Sequence, residues 1–352
     1  APVARSPQFQ QLIDLENNMY AITEEERAAG SLNPDKLASI VGDIGQQGYA
    51  VVAGLVSGET RQLLMESVRE DAEAIHSTDE LTPHEKHTGQ GHLQLGLRRR
   101  APYVRPDLLA NPLIEHIVAG VLGEHAWLGF YNGNINMPGS TSQPLHFDRP
   151  FTWKTKEEAE AAGENWPPRA TTLSCSIALE DITTRNAATE IYPGTHRETI
   201  VTQWPRGERP SEHPELLKKW GPPARMEIPA GGVCFRDPRM WHRGMPNTSD
   251  QVRPMIAMTF HTALGNHWRG TLVHKLAPQK LAQLAADANL RVMDDGTVGD
   301  GRLVFEESAR AVFDEHPSKH AVGRNVRFVR KLDHTVDAHL VGGARVLEES
   351  AS

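Results

Sequence analysis

The segment Gln143-Pro-Leu-His146-Phe-Asp148-Arg-Pro-Phe151 sets an imidazole and a carboxylate two residues apart. In an extended chain successive side chains alternate between faces, so His146 and Asp148 point the same way and can grip one ion. A strand edge carrying two ligands needs a third from elsewhere in the chain. His242, in Met240-Trp-His242-Arg-Gly, is the candidate. Between it and Arg253 lies Pro246-Asn-Thr-Ser-Asp250, rich in turn formers, and 252–260 reads as a returning strand. A hairpin folded about Asn247 and Thr248 would set His242 and Arg253 nearly opposite each other, roughly 5 Å apart on one face.

Two histidines and one carboxylate make the ligand face of non-haem Fe(II) centres, which leaves coordination positions open for chemistry. Arginine holds a carboxylate through two parallel hydrogen bonds and keeps its charge. Arg253 beside such a centre therefore suits a dicarboxylate bound to the metal at one end and clamped at the other.

These residues fall within an ordered set of motifs. They are His146-x-Asp148, then Asn186-Ala-Ala-Thr189-Glu-Ile-Tyr-Pro-Gly-Thr-His196, then Pro229-Ala-Gly-Gly leading through His242 to Arg253. In that order, over roughly residues 33–260, the chain resembles the phytanoyl-CoA dioxygenase-like family of Fe(II)- and 2-oxoglutarate-dependent oxygenases. The resemblance implies a mainly β fold with flanking helices and a double-stranded β-helix (jelly-roll, cupin-like) core. It implies Fe(II) held by His146, Asp148 and His242, 2-oxoglutarate as cosubstrate bound through Arg253, and O2 as oxidant. By motif position it adds Gln143 and Thr189 to the cosubstrate site. Two positions depart from the family pattern: Ala187 stands where glycine is usual, and Gly244 where a serine often lies two residues past the second histidine.

The activity so implied is hydroxylation of a small organic substrate with release of succinate and CO2. The same cofactors would also serve desaturation, cyclisation or another oxidation. A noncatalytic metal-binding barrel and a Zn(II) or Mn(II) cupin are the alternatives from other classes, the latter leaving Arg253 without a partner. The retained Asp148 argues against halogenation, where a small residue vacates that position for chloride. Asn134, Phe151 and Trp153 are the candidate substrate contacts. Asn134 belongs to the alternating run Asn132, Asn134, Asn136, whose amides share one face of an expected strand over 126–137.

Composition bounds the rest. The chain has 352 residues, 39% hydrophobic and 23% charged, with a net charge of −8, which argues against nucleic acid as a partner. No apolar run suits a membrane span or a signal peptide, so a cytoplasmic enzyme without membrane contact is expected. Two cysteines, Cys175 and Cys234, cannot make a disulfide framework and read as small buried hydrophobes, although both fall on strands that could approach each other. Three regions are expected: a helical N-terminal extension over 1–32, the oxygenase domain over 33–270, and a C-terminal extension over 271–352 packing on it. Asn33-Pro-Asp starts a helix that Gly48 stops, Tyr49–Val56 is a strand, and a second helix opens at Ser57. The region 75–105, with His76, His84, His87, His92 and the run Arg98–Arg100, reads as an irregular loop with exposed histidines. A helix is expected over 108–122, a polar helical insert over 154–165, a strand over 170–180 and a proline-rich loop over 205–223.

Overall fold

The computed structural model describes residues 18–262, apart from 77–80, 82, 96, 98–101, 104, 110 and 124–125, with a few short strands beyond 290. Ten strands within 18–262 supply the sheets. They are β1 Met19–Ala21, β2 Tyr49–Ala53, β3 His92–Leu95, β4 Trp127–Asn136, β5 Thr172–Ala178, β6 Thr189–Ile191, β7 Ala224–Met226, β8 Val233–Arg236, β9 His242–Arg243 and β10 Arg253–His261. Seven form one sheet in the order β1-β2-β8-β5-β10-β4-β3, antiparallel except for the β1·β2 pair. The other three form a small sheet, β7-β6-β9. This is the expected mainly β architecture, a large and a small sheet with helices outside.

The two-residue period of the strands sorts their side chains into two cores. Val52, Cys175, Ile177, Val233, Phe235, Ile256 and Met258 join the helical residues Ile40, Ile44, Leu64, Val68, Ile117 and Val118 on the outer face of the large sheet. Val51, Cys234 and Met255 turn the other way, where they meet Ile191, Met226 and Ile228 between the sheets. Each such fully buried aliphatic side chain contributes about 1.5–3 kcal/mol, so both layers are strongly specified. The same alternation separates the two cysteines: Cys175 and Cys234 lie on neighbouring strands but on opposite faces, both as free thiols. It also turns Asn132, Asn134 and Asn136 away from the helix-covered layer, the face opposite Tyr131 and Ile135.

The helices start where the sequence signals them. The Asn33 side chain accepts from the Asp35 and Lys36 amides, Pro34 opens the helix Pro34–Gln47, and Gly48 closes it at φ 89°. The expected helix over 108–122 is instead two, Pro106–Leu109 and Pro112–Leu122, because Asn111 caps the second and Pro112 occupies its first turn. The 205–223 loop contains a further helix, Pro214–Trp220, again begun by proline. The insert over 154–165 keeps one short helix, Lys156–Ala161.

The region 75–105 departs furthest from expectation. The helix Gly58–His76 runs into it, Pro83–Thr88 is helical, and β3 is an edge strand of the large sheet. His87 is exposed, but His92 is buried at 5% exposure because β3 pairs with β4. The arginine run 98–100 lies outside the described residues, as do most of the C-terminal extension and most of the N-terminal stretch, although Met19 proves to be in a strand rather than a helix. Among the described residues no helix is long and apolar enough to cross a membrane.

One backbone feature bears on stability. Ala187 is fully buried at φ 75°, the only non-glycine residue with a positive φ among those described. The left-handed conformation costs an L-residue about 1–2 kcal/mol, whereas glycine's freedom when unfolded costs about 0.4–1 kcal/mol. Ala187→Gly also removes a fully buried methyl worth about 0.8 kcal/mol, so the three terms nearly cancel and the stability in urea denaturation is expected to stay within about 0.5 kcal/mol of the wild type; a loss above about 1 kcal/mol would count against strain at this site.

Candidate active site

The site is assembled by backbone pairing before any side chain is considered. His146 N–H donates to the His242 carbonyl at 3.0 Å and His242 N–H returns the bond at 2.8 Å. Gln143 N–H donates to the Gly244 carbonyl and Asp148 N–H to that of Pro238, both at 2.9 Å. Residues 143–148 thus run antiparallel along 238–244 and extend the small sheet past β9. The expected hairpin between His242 and Arg253 does not form. β9 pairs with β6 in the small sheet and β10 pairs with β4 and β5 in the large one, so the two residues come from different sheets. Asn247 makes that separation: its Nδ2 donates to the carbonyls of Asn136 and Gln251, tying the connecting turn to the end of β4.

His146, Asp148 and His242 nevertheless converge, with their donor atoms within 4.8 Å of one another. His146 Nε2 is 3.6 Å from Asp148 Oδ1, and His242 Nε2 is 3.4 Å from Asp148 Oδ2. The opposite ring nitrogens are committed to the backbone, His146 Nδ1 to the Pro144 carbonyl at 2.7 Å and His242 Nδ1 to that of Met240 at 2.9 Å. A carbonyl only accepts, so in the neutral form of each imidazole Nδ1 carries the proton and Nε2 keeps its lone pair. Two such nitrogens and one carboxylate at this spacing suit one divalent ion with bonds of about 2 Å. The donor set fits Fe(II).

Asp148 faces the cavity with 40% of its side chain accessible, yet protein surrounds that cavity. Burial opposes its charge, but the neighbouring His242 and Arg236 overcome it and hold the carboxyl well below its usual range. His242 is pulled down to about 4 by burial and by Arg236. For His146 burial also pulls downward, but the nearby carboxylate of Asp148 outweighs it and leaves the imidazole above its ordinary 6.5.

Arg253 lies on β10 with 5% exposure, its Nε donating to the Asn186 carbonyl at 3.3 Å and its Nη2 to that of Ala187 at 3.2 Å. Burial pulls it down to about 10, so it stays charged at neutral pH. The left-handed residue Ala187 itself supplies one of these two carbonyls. A cavity of about 190 Å³ is lined by Arg253 together with His146, Asp148, His242, Gln143 and Thr189. Asn134 also lines it, but Phe151 and Trp153 do not. Phe151 packs instead against Trp166 at 6.2 Å, beneath the Arg239 guanidinium. The ion pair of Arg239 with Asp237, and its bond to the Pro168 carbonyl, hold that loop outside the cavity.

Two ionisable lining residues, His92 and Arg236, were not picked out by the motifs. His92 was hidden by its irregular surroundings; its Nε2 is bonded to the Thr141 carbonyl. Arg236 stands at the end of the apolar run Val233–Phe235, and a charge in such a run is the sequence signal that marks it. Gly244 also finds its reason here. A Cβ on it would lie 2.6 Å from His92 Cε1 and 2.9 Å from Gln143 Oε1, which itself accepts from the Gly244 amide.

Because His146 is raised above 6.5 and His242 lowered to about 4, only His146 carries an extra proton between pH 6 and 5. Metal must displace that one proton, so Co(II) affinity of the metal-free protein is expected to fall about tenfold per pH unit in this window. A hundredfold slope in anaerobic titrations would show that both imidazoles are protonated.

A family model for phytanoyl-CoA dioxygenase (PhyH) matches residues 44–255, more than half of the chain. The dioxygenase trt7 of Aspergillus terreus is 27% identical over 221 residues, covering 61% of this chain and 69% of that protein. The dioxygenase andF of Emericella variicolor is 23% identical, covering 51% of this chain and 56% of its own length. The ectoine dioxygenase of Bordetella bronchiseptica is 24% identical, covering 44% and 52%. The chain therefore spans about half the length of the latter two relatives. Among solved structures, the non-heme alpha ketoglutarate dependent epimerase SnoN is 17% identical at a TM-score of 0.45, covering 66% of this chain and 82% of that one. The match over 44–255 and the His-Asp-His cluster within it lead to one conclusion: the chain belongs to the phytanoyl-CoA dioxygenase (PhyH) family of Fe(II)- and 2-oxoglutarate-dependent dioxygenases.

Proposed function

We propose that the protein hydroxylates a C–H bond of a small organic molecule, with succinate and CO2 released from 2-oxoglutarate. In this reading His146, Asp148 and His242 hold Fe(II), Arg253 binds the distal carboxylate of 2-oxoglutarate, and Gln143 and Thr189 border the cosubstrate. The observation that supports it is the meeting of these six residues, drawn from both sheets, in one cavity. That the ectoine dioxygenase acts, by its name, on a small organic compound supports the substrate class.

Iron with 2-oxoglutarate and O2 supplies an oxidation in which one oxygen atom enters the substrate and the other enters succinate as CO2 leaves. The chain's own part is to bind, orient and exclude water. The carbonyls of Pro144 and Met240 fix the tautomers of the two imidazoles, so each enters the reaction with Nε2 unprotonated. Arg253 meets the cosubstrate as a buried, permanently charged fork, two of whose N–H groups are already fixed on carbonyls, so little side-chain freedom is lost on binding. Met226 and Met255 give the cavity an apolar wall. Asn134 and Gln94 give it a polar one and are the proposed substrate contacts.

Anaerobic titration of the metal-free protein with Fe(II) and then 2-oxoglutarate tests this reading through the visible iron-to-keto-acid charge-transfer band. Losing a charge-assisted pair costs about 2–3 kcal/mol, so Arg253→Ala should raise the half-saturating 2-oxoglutarate concentration roughly 30- to 150-fold while iron binding changes less than about twofold. His146→Ala should abolish iron binding and the band. Absence of the band in the wild type, or equal loss of metal in both variants, would refute the assignment. With substrate in hand, a product heavier by one oxygen supports hydroxylation, and one lighter by two hydrogens supports desaturation or ring closure.

A further inference from the structure

Arg236 has no part in the ligand set or the cosubstrate clamp, yet its guanidinium is bonded directly to Asp148. It ends β8, a central strand of the large sheet, paired with Tyr49 of β2 on one side and Ser174 of β5 on the other. The strand period puts it on the face of Cys234, turned between the sheets, and only 6% of it is exposed. Burying a guanidinium there is costly unless it is paired, and its partner is the proposed metal ligand itself. Arg236 Nη2 donates to Asp148 Oδ2 at 2.7 Å, while Nη1 lies 3.2 Å from His242 Nδ1. That second contact is not a hydrogen bond in the tautomer described above, because Nδ1 spends its proton on the Met240 carbonyl at 2.9 Å and a guanidinium has no lone pair to accept it. Arg236 is therefore held near the imidazole by its hold on the carboxylate.

The consequence falls on the two oxygens of Asp148. Oδ2 is engaged by a short charge-assisted hydrogen bond, whereas Oδ1 faces His146 Nε2 at 3.6 Å, beyond hydrogen-bond reach. A carboxylate free on both sides can chelate an ion with two oxygens; one whose Oδ2 already gives a lone pair to a charge-assisted hydrogen bond is the weaker donor on that side, which favours ligation through Oδ1. We propose that Arg236 is a positioning residue that restricts Asp148 to one-oxygen ligation and so preserves the coordination position a second carboxylate oxygen would fill. This rests on the ligand assignment proposed above. It gives a reason for an arginine, rather than an apolar residue, to close an otherwise apolar run at Val233–Phe235.

The test needs metal alone. In infrared difference spectra of the full chain, Zn(II)-loaded minus metal-free, the asymmetric and symmetric stretches of a bound carboxylate lie far apart for one-oxygen ligation and close together for two-oxygen ligation. Labelling with carbon-13 aspartate and comparison with Asp148→Asn assign the bands. The wild type is expected to show the wide separation, Arg236→Met the narrow one, and Arg236→Lys, which retains one charged donor, the wide one again. Arg236→Met is also expected to bind 2-oxoglutarate at least tenfold more weakly to the Co(II)-loaded protein while holding Co(II) at least as tightly as the wild type. A narrow separation in the wild type overturns the proposal without recourse to any variant, and so does an unchanged separation in Arg236→Met. Should the wild type show the wide separation but fail to bind 2-oxoglutarate, the cosubstrate reading fails while the role of Arg236 stands.

Discussion

Two backbone hydrogen bonds exchanged between His146 and His242 hold the site together. Through them two segments nearly a hundred residues apart become neighbouring strands, and both imidazoles emerge from one edge of the small sheet with ring centroids 4.4 Å apart. Directly opposed strand residues place their side chains within about 5 Å whatever the sequence between them, so the spacing of the two histidines is fixed by the sheet rather than by their rotamers alone. Asp148 follows because its own amide is tied to Pro238, on the same antiparallel path.

On this frame sits a compact arrangement of charge. Asp148 is met by two imidazoles and by Arg236, and Arg253 stands elsewhere on the wall with carbonyls as its partners. The two arginines face different tasks, one with an internal carboxylate and one with most of its fork left for a ligand. Low-dielectric surroundings strengthen each of these interactions and penalise any that is left incomplete. The site consequently favours a neutral His242 and an ionised Asp148 before metal arrives.

Much of this was legible in the sequence for a physical reason. His146 and Asp148 are separated by one strand period, and Asn132, Asn134 and Asn136 by the same period, so local spacing alone assigned them to common faces. The order of the motifs indicated the fold. What the sequence did not disclose was which sheet each strand joins. The turn formers between His242 and Arg253 are compatible with a hairpin, but the bonds of Asn247 to the end of β4 and the pairing of β10 with β4 and β5 put that strand in the large sheet. His92 was masked likewise, since a four-residue edge strand leaves too short a pattern to read. Phe151 and Trp153 adjoin Asp148 in the chain, but an aromatic and cationic contact through Trp166 and Arg239 draws that loop away from the cavity, an effect of tertiary packing that adjacency in sequence cannot convey.

The glycine at 244 joins the fates of three positions. His92 is pinned by Thr141 and Gln143 by the Gly244 amide itself, and both stand where a side chain at 244 would begin. A side chain as small as serine at that position would have to displace both, and a smaller residue at 92 would open only one side of the space. The volume of this corner is thus shared among three positions, and a change at any one of them is felt by the other two.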